Sequence, residues 1–73
     1  ALIQNLTPKE FDLLYELVRA RPKVVTRKAL VDLLGDDAAS NALEVHMKNL
    51  RGKLGAAGKR VATVRGVGYR LDI

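Results

Sequence analysis

The sequence predicts an α+β fold, mainly α, in which three helices are followed by a C-terminal β-hairpin. Three observations carry this expectation. Thr7, Thr26 and Ser40 are good N-cap residues, and each precedes apolar residues at helical spacing. Pro22, Gly35 and Gly55 stand where those patterns stop. Last, Val61–Arg65 and Tyr69–Ile73 read as two short strands around Gly66-Val67-Gly68.

The elements follow in order along one domain, since 73 residues allow no more. Residues 1–6 are mostly apolar and read as the remnant of a strand. The first helix spans 7–21. Thr7 caps it, Pro8 suits the first helical position and Glu10 completes a capping box, while Leu6 and Phe11 have the spacing of a hydrophobic staple. Phe11, Leu14, Leu17 and Val18 make the expected buried stripe. Lys23, Val24 and Val25 read as an extended link. The second helix spans 26–35, with Ala29, Leu30, Leu33 and Leu34 inward and Gly35 as its stop. After a short loop, a third helix spans 40–54, capped by Ser40 and broken by Gly55 and Gly58. The hairpin occupies 60–73, and either glycine of its turn can take a positive φ.

Composition removes several functions. There is no cysteine, so neither a disulfide framework nor a thiolate metal site is available, and the lone His46 cannot build a zinc site. No apolar run approaches the roughly 18–20 residues that cross a bilayer, and no signal-peptide pattern is present. A cytoplasmic setting is consistent with both. Met47 is the sole methionine, so the chain reads as a piece of a longer protein. No nucleophile–base pair, carboxylate pair or phosphate-binding glycine loop is found, and no enzyme and no cofactor are expected.

Charge is more informative. The net charge is +5, and all of the excess lies after residue 40. There Lys48, Arg51, Lys53, Lys59, Arg60, Arg65 and Arg70 face only Glu44 and Asp72, whereas acids and bases balance in residues 1–40. A localised basic surface suits a polyanionic partner; a solvated surface kept for solubility is the other reading.

At about 100° per residue, Leu43, Met47, Leu50 and Leu54 of the third helix fall in one arc and face the core. Opposite them stand Asn41, Val45, Lys48, Asn49 and Gly52. Asparagine can pair with adenine, lysine can reach guanine or phosphate, and a small apolar group can pack on a thymine methyl. An ordinary solvated face has a similar make-up. His46 lies on the flank, as a phosphate contact or as a partly buried, hydrogen-bonded side chain. In the hairpin, Arg65 stands beside the glycine turn, where a guanidinium suits a narrow minor groove. Thr63 and Tyr69 offer hydroxyls for phosphate, or else serve as a strand former and a cover for the core.

Three segments resemble a known family. They are Leu6-Thr7-Pro8-Lys9-Glu10-Phe11-Asp12-Leu13-Leu14, the stretch from Asn41 to Arg51, and Thr63-Val64-Arg65-Gly66-Val67-Gly68-Tyr69-Arg70-Leu71. Their order is similar to the winged helix-turn-helix effector domain of OmpR/PhoB-type response regulators, and Ser40–His46 is most like the branch that includes PmrA- and QseB-like regulators. The resemblance implies a bacterial two-component regulator of transcription, with the third helix in the major groove of double-stranded DNA and the wing arginine in the minor groove. It implies head-to-tail homodimers on direct repeats and an upstream receiver domain, phosphorylated in a phosphorelay, that lies outside these residues. Carried over, Val45 and Asn49 face bases. Asn41, His46, Lys48 and Arg51 lie near bases or phosphates, Thr63 and Tyr69 hold phosphate, and Arg65 reads the minor groove. The chain departs from the pattern in having only residues 1–6 of the preceding four-stranded sheet. Its loop at 35–39 is short and lacks the usual tryptophan; that loop contacts RNA polymerase in some family members. Gly52 replaces a frequent basic residue. A non-specific architectural DNA binder, or a winged helix used for protein–protein contact, remains the alternative.

Overall fold

The computed structural model describes residues 5–35 and 41–73. Helix α1 spans Pro8–Ala20, strand β1 Val25–Thr26, α2 Arg27–Leu34 and α3 Ala42–Leu54. A short 3₁₀ segment, Gly55–Arg60, leads into strands β2, Val61–Val64, and β3, Gly68–Leu71. The three strands form one antiparallel sheet in the order β1-β3-β2. Its register pairs Thr63 with Tyr69 across the hairpin, and Val25 with Tyr69 on the other side of β3. None of the described helices is long and apolar enough to cross a membrane.

Local chemistry starts the helices. The Thr7 hydroxyl accepts from the Glu10 N–H at 3.2 Å, and the Glu10 carboxylate accepts from the Thr7 N–H at 3.1 Å, which closes the capping box. The Thr26 hydroxyl accepts from the Ala29 N–H at 3.2 Å and so starts α2. Asn41 sits at the cap position of α3 without a side-chain bond to the helix. Ser40, read from sequence as that cap, lies outside the described residues, as do the loop at 36–39 and residues 1–4 of the strand remnant. Asn5 and Leu6 belong to no strand.

The core joins Leu13 and Leu17 of α1, Leu30 and Leu34 of α2, and Leu43, Met47 and Leu50 of α3. Val25, Val61, Tyr69 and Leu71 close it from the sheet. Two expected faces are corrected here. Phe11 is 56% exposed and stacks on Tyr15 with ring centroids 6.3 Å apart, while the buried line of α1 runs Glu10, Leu13, Leu17. The buried face is thus shifted by about one residue from the expected one, and Glu10 on it meets a partner on α3. In α2, Ala29 and Leu33 are exposed and only Leu30 and Leu34 are buried.

Strand β1 joins the last residue of the 23–25 link, Val25, to the cap residue Thr26, and the sequence does not announce it. Two residues carry too little pattern to read; the partner strand defines them. Gly66 takes the positive φ of the turn, 76°. Gly68 serves a different end. A Cβ there would overlap the Val25 carbonyl oxygen and lie 2.9 Å from the Arg27 nitrogen, so glycine is what lets β1 seat on β3.

Candidate nucleic-acid interface

Helix α3 lies with Leu43, Met47 and Leu50 in the core, so its opposite side is exposed by necessity. Asn41, Val45, Lys48, Asn49 and Gly52 are all exposed there, Val45 by 45%. Among the described residues, Val45 is not part of the core, although it is an apolar side chain at the centre of a polar face. His46 is partly buried, on the flank.

Arg65 is exposed in the hairpin turn, Arg65–Val67, rather than at the end of a strand as the sequence suggests. Beside it, Arg51, Thr63 and Tyr69 come together. The Arg51 guanidinium donates to the Val61 carbonyl at 3.1 and 2.8 Å and to the Thr63 hydroxyl at 2.7 Å. Its carbon lies 5.5 Å from the centre of the Tyr69 ring. Tyr69 is 8% exposed. Arg51 therefore turns its Nε and Nη2 donors to the wing. It ties α3 to β2, and Tyr69 is the platform beneath it.

Three features escaped the sequence reading. The first is an ion pair between the buried Glu10 of α1 and the more exposed Lys53 of α3 at 2.7 Å, in which Lys53 also donates to the Asn5 carbonyl at 2.7 Å. Burial raises the Glu10 carboxyl, but the bonds from Lys53 and the Thr7 N–H outweigh it and leave it below its ordinary value. The second is an ion pair between Arg27 at the start of α2 and Glu44 in the first turn of α3. Here too burial raises the Glu44 carboxyl and the Arg27 bond overrides it, so Glu44 stays ionised. The pair sets a cation against the one carboxylate of α3, and both side chains stay about half exposed. The third is the Lys9 ammonium, which donates to the Leu34 carbonyl and ties α1 to the end of α2. A signal for the first was present: Glu10 and Lys53 are charged residues adjacent to core positions.

An exposed helix face and a basic hairpin tip on one molecule define a winged helix-turn-helix domain. Residues 4–71 match the family described as "Transcriptional regulatory protein, C terminal", and the chain belongs to that family. It is 51% identical over 69 residues to the swarming motility regulation protein RssB of Serratia marcescens, covering 90% of this chain and 31% of that protein. It is 46% identical over 69 residues to the transcriptional regulatory protein PmrA of Pectobacterium parmentieri, covering 90% of this chain and 30% of the relative. The chain thus spans about a third of the length of these relatives. It is also similar to the crystal structure of the response regulator AdeR DNA-binding domain in complex with an intercistronic region. The TM-score is 0.82 and the identity 36%, over 94% of this chain and 74% of that one.

Proposed function

We propose that this domain binds DNA sequence-specifically as the output module of a two-component response regulator that controls transcription. The carrying observation is the exposed Asn41, Val45, Lys48 and Asn49 on a helix whose remaining acid, Glu44, is paired, next to a wing tipped by exposed Arg65. The likeness to the AdeR domain, whose structure is a complex with DNA, supports the same reading.

In this reading Val45 and Asn49 meet base edges in the major groove, and Asn41, His46 and Lys48 lie toward bases and phosphates. Arg65 enters the adjacent minor groove. Thr63 accepts from Arg51 and keeps its own hydroxyl hydrogen for a phosphate oxygen. Arg51 and Tyr69 act on DNA through the wing they hold, more than by direct contact. Head-to-tail dimers on direct repeats, an upstream receiver domain, contact with RNA polymerase and a cytoplasmic setting complete the proposal.

Selection of sites from random DNA, followed by titration at several salt concentrations, tests it. The preferred site should bind about 10³-fold or more tighter than unrelated DNA. The slope of log K against log salt should be about −5 to −6, from five to seven phosphate contacts. Asn49→Ala should relax preference at one base position at a cost of about 1–3 kcal/mol. A flat salt dependence overturns the reading.

A further inference from the structure

A domain that touches a major and a minor groove together needs a set angle between its helix and its wing. Among the described residues, two side-chain tethers lie along one flank of α3. Glu44 and Arg51 are seven positions apart, so about 10 Å separates them along the axis. Arg51, toward the C-terminal end, is bonded to Val61 and Thr63 of β2. Glu44, in the first turn, pairs with the Arg27 side chain.

Arg27 also touches the wing. Its backbone N–H donates to the Val67 carbonyl in the hairpin turn at 2.9 Å. The two residues before it, Val25 and Thr26, pair with Tyr69 and Gly68 of β3, and at Gly68 no Cβ would fit. Arg27 thus holds the wing by its main chain and α3 by its side chain. A single tether leaves a pivot, whereas two separated ones fix an angle. Packing does not fix it at this end, because an open groove of about 210 Å³ lies between Arg27, Glu44 and the hairpin residues from Thr63 to Tyr69.

We propose that Arg27 is a positioning residue which, through Glu44, sets the angle between α3 and the wing and so couples major-groove to minor-groove reading. The inference rests on the DNA-reading function above. The two side chains are 46% and 48% exposed, so the pair contributes little to stability. Its effect is on orientation.

The test compares the 73-residue chain with Glu44→Gln and with the exchange Arg27→Glu plus Glu44→Arg. Glu44→Gln cuts the tether and leaves every cation in place. Backbone residual dipolar couplings without DNA report the angle between α3 and the hairpin. Titration on two operators that differ only in A·T content of the flanks reports minor-groove reading. In Glu44→Gln, the hairpin couplings should shrink while those of the three helices hold, and the affinity ratio between operators should narrow by about threefold, the scale of an exposed ion pair. The exchange should restore both. Unchanged hairpin couplings in Glu44→Gln overturn the proposal, and so does a loss that the exchange fails to repair. A wild-type chain that binds no DNA would instead overturn the function on which it rests, and the couplings would still report the tether.

Discussion

Helix α3 is held near its two ends by two ion pairs of different kinds. Near its C-terminal end, Lys53 meets Glu10, whose side chain is 3% exposed. In its first turn, Glu44 meets Arg27, and both side chains are about half exposed. The first pair lies where α1 packs against α3. The second lies beside the wing. Burial decides what each can do. A carboxylate taken out of water and left without its cation costs several kcal/mol, whereas an exposed pair contributes about 0–1 kcal/mol. One end of α3 is therefore secured for stability and the other is free to serve recognition.

The largest expected effect comes from Lys53→Met, which keeps the aliphatic stem and removes the charge. It should cost about 2–3 kcal/mol in urea unfolding, because the Thr7 N–H still donates to the orphaned carboxylate. A loss no greater than that of Glu44→Gln would erase the distinction between the ends. Acid probes the same pair. Glu10 is lowered from its ordinary value of 4.5 in the folded state. The unfolded chain takes up the proton first as pH falls, so the contribution is complete above that value and is lost below it, as pH passes through the lowered folded value. Glu10→Gln should remove this part of the acid sensitivity; an unaltered pH profile would assign the sensitivity elsewhere.

Gly68→Ala comes next and sharpens the recognition side. The added methyl overlaps the Val25 carbonyl, and such overpacking costs about 1–3 kcal/mol. DNA affinity should fall with it, since β1 and Arg27 are displaced together. Wild-type stability and affinity in this variant would show that β1 can move away from β3 freely. Arg65→Lys is the smallest expected effect. Its exposed turn position leaves stability within about 0.5 kcal/mol of wild type. Affinity should still drop on A·T-flanked sites, since the more strongly hydrated ammonium loses more on entering a narrow groove. Equal binding by both proteins on both flanks would reduce the wing to a phosphate clamp.

Much of this was legible in the sequence, and the parts that were not share a cause. The capping box of Thr7 and Glu10, the cap at Thr26, the core arc of Leu43, Met47 and Leu50, and the glycine turn were readable because each depends on neighbours within a few residues. The exposed face of α3 followed from helical spacing, and Arg65 was placed near the hairpin tip by the glycine turn beside it, though as the last residue of a strand and not in the turn itself. Phe11 was misread as core because an apolar residue in register was favoured over the acid beside it; periodicity does not know that Glu10 has a cationic partner on α3. The resemblance placed Arg51 near bases or phosphates; its bonds to Val61 and Thr63 of the wing have no local signature and came only from the structure.

The order of elements, the family motifs and the composition of the reading face were determined by the sequence alone, because caps, breakers and helical spacing act over a single turn. Tertiary structure alone decided that β1 exists, that Gly68 is a close contact rather than a turn residue of positive φ, and that Lys53 finds Glu10 across 43 positions while Arg27 finds Glu44 across 17. Those pairings have no local signature. Their partners meet only after the helices have packed, and only the packed form sets how much water each charge keeps.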